Sequence, residues 1–219
     1  MEQKVFTRLS GQHARQVNDK LTHLGFRRSQ NIAYRPSCEG CNACVSVRIL
    51  TDAFEPSRSF QRILERNRDL RPEIVDPWAT EEQFRLIRRY LDTRHTGGGM
   101  SEMTMFDYVA MVEDSAVETH MCEYRMTLPD GRPGPLTAVA LTDVLQDGLS
   151  MVYSFFDPAE GHRSVGTYMV LDHVAQARAR KLPYVYLGYF IEGCRKMSYK
   201  ARFGPLEART EAGWVPFKT

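Results

Sequence analysis

Three short stretches of this sequence hold side chains whose types and spacing could do chemistry. Cys38, Cys41 and Cys44 follow Tyr34-Arg35-Pro36 at two-residue intervals. Thiolates so spaced in a tight loop can converge on one zinc ion or on the iron of a cluster. Three ligands are not four; Cys122, Cys194, His13 or His23 could supply the last, and small residues holding a crowded loop together would look the same. The second stretch runs Ser154-Phe155-Phe156-Asp157-Pro158 and then Gly161-His162-Arg163-Ser164-Val165-Gly166-Thr167. A strand ends, the chain turns and a helix begins, and backbone N–H groups at a helix N-terminus favour anions. Arg163 adds a planar fork suited to phosphate. A plain helix cap, with Gly166 letting the helix approach the sheet, fits the same residues. The third stretch, Cys194-Arg195-Lys196-Met197-Ser198-Tyr199-Lys200-Ala201-Arg202-Phe203, puts four cations and a tyrosine after a strongly apolar segment. On a helix Lys196, Tyr199 and Lys200 share a face, which could hold phosphates or a carboxylate, or be merely solvated.

The elements that must position these groups can be read from periodicity. Ala14, Val17, Leu21 and Leu24 mark a short helix that Gly25 ends, and Val45-Ser46-Val47-Arg48-Ile49 alternates as a half-buried strand does. A helix over residues 57–70 lines Arg58, Arg62 and Arg66 along one stripe and turns Phe60, Ile63 and Leu64 inward. Pro72 and Pro77 make residues 71–80 a linker. Thr80-Glu81-Glu82-Gln83 reads as a capping box before Phe84, Ile87 and Leu91, Gly97-Gly98-Gly99 stops that helix, and Thr104 with Asp107 opens another. Strands over residues 117–126, 136–145 and 149–156 are joined by turn-rich segments, followed by a helix over 163–180, the strand LPYVYLGYFI and a short helix near 195–203.

Composition narrows the class. The 219 residues are 42% apolar and 26% charged, a globular balance, with Lys+Arg 29 against Asp+Glu 27. The small net charge conceals bands: net +4 over residues 1–78, −6 over 79–150 and +4 over 151–219. Two basic ends around an acidic middle could form one basic face for a polyanion, or be ordinary scatter. Five cysteines, three of them within seven residues, are not a secreted disulfide framework. No apolar run approaches the ~20 residues of a membrane span. The opening MEQKVFTRLS is too polar for a signal-peptide core, so a cytoplasmic protein with no membrane partner is expected.

The strand series with a basic turn before its helix resembles the GNAT acyltransferase fold. More specifically, the chain resembles the aminoacyl-tRNA–protein transferases of the bacterial N-degron pathway, and among them the aspartate/glutamate leucyltransferases. The stretches that carry the likeness are Phe26-Arg27-Arg28-Ser29-Gln30, Tyr34-Arg35-Pro36 through Cys44-Val45-Ser46-Val47-Arg48, and Pro56-Ser57-Arg58-Ser59-Phe60. They continue with Leu141-Thr142-Asp143-Val144, Tyr153-Ser154-Phe155-Phe156-Asp157-Pro158 and Arg163-Ser164-Val165-Gly166-Thr167. Tyr184-Val185-Tyr186-Leu187-Gly188-Tyr189 and Lys196-Met197-Ser198-Tyr199-Lys200-Ala201-Arg202-Phe203 complete the set, which spans nearly the whole chain. The resemblance implies an α/β (α+β) architecture, with a GNAT-like domain over residues 77–219 after a smaller Cys-containing α/β lobe over 1–76. Family members usually open with a segment carrying a Cys-x-Tyr motif. This chain opens at Met1-Glu2-Gln3-Lys4-Val5-Phe6 without it, which is expected to account for the missing fourth ligand of a zinc or iron–sulfur site at Cys38, Cys41 and Cys44.

The implied reaction makes a peptide bond and requires no cofactor. The α-amine of a protein beginning with Asp or Glu attacks the ester of an aminoacyl-tRNA, Leu-tRNA before Arg-tRNA. The amine must be neutral, which calls for an acceptor; Asp143, Asp157 and Tyr153 are the candidates. An acidic acceptor needs a nearby cation, and Arg35, Lys200 and Arg202 are candidates, with Tyr199 orienting the substrate. Arg163, Ser164, Gly166 and Thr167 are expected at the tRNA acceptor end together with Lys196, and Arg58, Arg62 and Arg66 along the tRNA backbone. A coenzyme-A-dependent N-acyltransferase on the same fold and a non-catalytic metal or redox sensor built on the Cys triplet are the competing classes.

Overall fold

The computed structural model describes residues 3–94 and 102–217. Near the N-terminus, β1 (Lys4–Arg8), β2 (Arg27–Ser29) and β3 (Ile32–Pro36) form a small antiparallel sheet in the order β1-β3-β2, with helix α1 (Ala14–His23) between the first two strands. The rest builds an eight-stranded sheet. Its members are β4 (Val45–Leu50), β5 (Leu70–Val75), β6 (Thr119–Thr127), β7 (Pro133–Val144), β8 (Gly148–Phe156), β9 (Tyr184–Phe190), β10 (Leu206–Thr210) and β11 (Gly213–Pro216). The order is β11-β10-β4-β9-β8-β7-β6-β5. Every pairing in it is antiparallel except β8 with β9. A parallel pair needs a crossover, and here α5 (Val165–Ala179) supplies it after a 3-10 turn, Pro158–Arg163.

Helices cover both faces. Alternation along β7 sends Ala138 and Ala140 to one face and Val139 and Leu141 to the other. On the first face α2 (Arg58–Arg66) and α5 pack through Phe60, Ile63, Met169, Val170 and Val174. On the second, α3 (Glu81–Arg94) and α4 (Met105–Glu113) contribute Leu86, Ile87, Leu91, Tyr108 and Val112. Each such side chain contributes roughly 1.5–3 kcal/mol by leaving water. The capping boxes form as their residue types require. The Thr80 hydroxyl accepts from Gln83 N–H at 3.3 Å while Gln83 Oε1 accepts from Thr80 N–H at 2.9 Å, and Thr104 with Asp107 repeats the motif.

Several expectations are corrected. Residue 76 is no boundary in the sheet, because β4 and β5 from the first 76 residues are strands of it and α2 packs on α5. Only the small sheet and α1 form a separate layer. Residues 70–75 are a strand, not a linker: β5 is the sheet's edge and pairs with β6 alone, so Pro72 removes no ladder bond that a further strand would need. β4 is central and buried on both faces, its polar Arg48 held by Glu207 and Tyr186. Leu64 is 36% exposed, on the solvent side of α2. The small sheet, β10 and β11 had no counterpart in the periodicity. The Gly97-Gly98-Gly99 stop lies outside the described residues. Among those described, no helix is long and apolar enough to cross a membrane.

Candidate active site

The sheet opens where its one parallel pair ends. β8 and β9 are in register only over Gly148–Tyr184, Leu149–Val185 and Ser150–Tyr186, although both strands run on. Backbone groups on the parted edges need other partners. On the β8 side Arg27 of β2 supplies them: its Nη2 donates to the Met151 and Val152 carbonyls at 3.0 and 2.8 Å. Gly188 makes room, since a Cβ there would sit on the Arg27 guanidinium, and its φ of +74° suits glycine. On the β9 side Lys200, in the 3-10 turn Ser198–Arg202, donates from Nζ to the Tyr189 carbonyl at 2.6 Å. A basic side chain therefore holds each lip of the opening.

Tyrosines surround these two side chains. Tyr189 donates from its hydroxyl to the carbonyls of Gly25 and Tyr34, at 3.1 and 3.0 Å, which docks the small sheet against β9. Tyr199 stands at the mouth, 39% exposed, its ring edge-on to Phe203. Across the opening, Tyr90 of α3 packs edge-on against Phe156. The Arg27 charge reaches Lys200, Tyr189 and Tyr199 alike, opposing protonation in each. Burial, aided by Arg27 and resisted by Cys194, brings the Lys200 ammonium down to about 7. Burial also raises the Tyr153 phenol, and its hydroxyl is a buried group with no hydrogen-bond partner.

The structure redistributes the residues singled out from sequence. Lys200, Tyr199 and Tyr153 lie around the opening. Asp143 does not: its side chain is 1% exposed, and Arg28 and Thr119 occupy both its oxygens, so it cannot reach a substrate amine. Asp157 caps the 3-10 turn through Ala159 N–H and pairs with Arg89 at 2.9 Å, a turn-fixing carboxylate. Arg163 is no phosphate fork either. Its guanidinium is buried against the Asp69 carboxylate and the Arg66 carbonyl, tying the turn to α2. Ser164 takes the left-handed conformation at φ 58°, its carbonyl accepts from Thr167 N–H, and Gly166 admits the Phe156 ring. That loop is a cap that brings α5 onto the sheet.

Arg58 and Arg62 remain solvent-facing along a shallow groove of about 560 Å³ on α2, whereas Arg66 also donates to the His162 carbonyl. Lys196 and Arg202 are exposed, with Arg202 over the Phe60 ring at 5.4 Å. Arg35 lies over Phe26 at 5.1 Å and lines a cavity of about 630 Å³ with Cys38, Cys41, Cys44, Tyr189 and Arg209. The three thiols border that cavity. Among the described residues no three His, Cys, Asp or Glu side chains are placed to hold a metal, and Cys38 Sγ sits 3.4 Å from Gln3 N. Sequence reasoning missed Arg27, Tyr90 and Tyr189; Arg27-Arg28 beside Gly25, and Gly188 inside an apolar strand, were the available signals.

Comparison with known proteins agrees with this architecture. The family model "Arginine-tRNA-protein transferase, C terminus" matches residues 82–210, and "Arginine-tRNA-protein transferase, N terminus" matches residues 1–62. A Parvibaculum lavamentivorans protein named aspartate/glutamate leucyltransferase is 59% identical over 97% of this chain and 86% of its own length. One of the same name from Bradyrhizobium sp. is 58% identical over 98% and 84%. Among solved structures, FemX superposes with a TM-score of 0.51 at 10% identity, covering 89% of this chain and 65% of its own. The C-terminal domain described as that of a lysylphosphatidylglycerol synthetase from Agrobacterium fabrum does so at 0.50 and 15%, covering 78% and 61%. At such identities the likeness concerns the fold alone, which is the GNAT-like acyltransferase fold expected from sequence. With both family models matched along it and relatives of one name over nearly its full length, the chain belongs to the arginine-tRNA–protein transferase family.

Proposed function

We propose that this protein transfers leucine from Leu-tRNA to the α-amine of proteins that begin with Asp or Glu, marking them for degradation. The observation that carries this reading is the name aspartate/glutamate leucyltransferase on a relative 59% identical over 97% of the chain. The opening between β8 and β9 supports it chemically. An aminoacyl ester is already activated, so positioning and oxyanion stabilisation can supply most of the acceleration. The Tyr153 hydroxyl, buried without a partner, is suited to donate to that oxyanion. Arg27 spends Nη2, the nitrogen common to both bidentate edges of a guanidinium, on β8, so its Nε and Nη1 donors are left for single charge-assisted bonds to the acceptor carboxylate. Arg35, whose charge also acts on Tyr189, is the second cation near this route, and Tyr199 at the mouth orients the acceptor.

Two cations and four tyrosines around the opening suit an apolar leucyl donor and an acidic acceptor. An arginyl donor would call for a carboxylate that these groups do not provide. The exposed Arg58 and Arg62, with Lys196, are offered to the tRNA backbone, and a charged-tRNA donor places the reaction in the cytoplasm. An Asp-starting peptide with labelled Leu-tRNA, Arg-tRNA or acetyl-coenzyme A tests the donor. Transfer from Leu-tRNA above the other two is the expected result, and transfer from Arg-tRNA or acetyl-coenzyme A alone would replace the reading.

A further inference from the structure

Within this reading, an ammonium must lose a proton at an opening to which neither candidate carboxylate offers a free oxygen. Asp143 is locked to Arg28, and Asp157 to Ala159 N–H and Arg89. We propose that Lys200 is the proton acceptor of the transfer, a neutral amine held at the lip of the opening with its lone pair available to the incoming α-ammonium.

The geometry argues for this role over that of a fixed cation. Lys200 is 7% exposed and its Nζ makes one hydrogen bond, as donor to the Tyr189 carbonyl at 2.6 Å. A neutral amine needs only that one donation to be oriented, whereas a buried ammonium would leave two further N–H groups to satisfy. The groups facing it are Arg27 from β2, Tyr189 from β9 and Cys194 from the connecting loop, with Tyr199 as its chain neighbour. Burial disfavours the charged form most, and the fixed positive charge of Arg27 acts in the same direction; the group is brought to about 7, the range a base at neutral pH requires. Arg27 thus has two consequences. Its charge attracts the acceptor's carboxylate and, together with burial, disfavours protonation of the neighbouring lysine.

The proton count closes. Neutral Nζ takes one proton from the α-ammonium, and the nitrogen lone pair forms the new C–N bond at the ester carbonyl. The C–O bond to the ribose breaks, and the second proton leaving the nitrogen ends on the 3′ oxygen. Nζ then releases its proton to solvent, so each turnover yields amide, tRNA hydroxyl and one proton.

The test is the pH dependence of labelled-leucine transfer from Leu-tRNA to an Asp-starting peptide, read with Lys200→Arg and Lys200→Met. Wild type should reach half its limiting rate near pH 7. Lys200→Arg keeps a charge that cannot be removed and should fall ~100-fold or more with its melting temperature held. Lys200→Met should fall similarly, its half-maximal pH rising toward the ~8 of a peptide α-amine. Should the variants not fold, a ¹³Cε-lysine titration of wild type decides: Lys200 near 7 supports the proposal and near ~10 overturns it. Lys200→Arg within ~3-fold of wild type, or an unmoved half-maximal pH in Lys200→Met, also overturns it. A wild type that transfers no leucine overturns both this inference and the function beneath it; an active wild type whose Lys200 titrates near ~10 overturns this inference alone.

Discussion

Arg28 and Asp143 meet fork to fork in the interior, Nε to Oδ2 at 2.7 Å and Nη2 to Oδ1 at 2.6 Å, with each side chain 1% exposed. The pair fastens β2 to β7. With Arg27 one residue earlier bound to β8, it fixes the small sheet to the large one at the edge of the opening. Removing one partner strands the other as a buried charge, which costs about 3–5 kcal/mol. Asp143→Ala should therefore lower the melting temperature by about 10 °C. A variant that melts within about 2 °C of wild type yet has lost transfer would return Asp143 to the chemistry.

Gly188→Ala should damage stability and activity together. The position is left-handed at φ +74°, and the new Cβ would occupy the place of the Arg27 guanidinium. The backbone term alone is roughly 1–2 kcal/mol. In an Arg27→Ala background the steric part vanishes, so the two substitutions should be non-additive in chemical denaturation. Strict additivity would mean that Arg27 does not fill the parting of β8 and β9.

How much of this was legible in advance differs between elements. The helices α1 to α4 announced themselves through periodicity and caps, and strands β6 to β9, largely buried on both faces, through apolar runs bounded by turn residues. β5 was hidden by Pro72, which an edge strand tolerates and a central strand does not. The Cys triplet and the Cys194–Phe203 cluster were visible as chemistry. The roles within them were not, since burial decides whether a lysine is a cation or a base and sequence does not display burial. Arg27 lay inside a stretch that resembles the family, but its function depends on a gap between β8 and β9, strands more than a hundred residues downstream.

Binding of aminoacyl-tRNA should weaken with salt, and Arg58 with Arg62 should account for part of the slope. Both are exposed beside one groove on α2. Removing two phosphate contacts should flatten the plot of log K against log salt by about 1.8 on duplex and about 1.4 on single-stranded RNA. An unchanged slope in Arg58→Ala/Arg62→Ala would take the tRNA off this face. Arg66 is left intact because it also supports the His162 carbonyl.

Acid should unfold the protein partly through His120. The ring is buried on β6, its Nε2 lacks a partner, and burial, with Arg180 and His173, holds it down to about 4. A folded-state value below the unfolded ~6.5 means that the unfolded chain binds the proton first. Stability is then complete above ~6.5, falls as pH drops, and levels below about 4. The loss should be about 2–3 kcal/mol once partial access of water is allowed for. His120→Gln should remove that share of the acid slope in urea titrations, while His173, lowered in the same sense, preserves a remainder. An identical slope in the variant would clear His120.

The most direct test of the central claim presents Leu-tRNA carrying labelled leucine to peptides identical except for a first residue of Asp, Glu, Ala or Asn. The account predicts leucine at the N-terminus of the Asp and Glu peptides, with the Ala and Asn peptides left largely unmodified, because Arg27 reads a carboxylate beside the attacking amine. Equal labelling of all four peptides, or labelling of none, would contradict it.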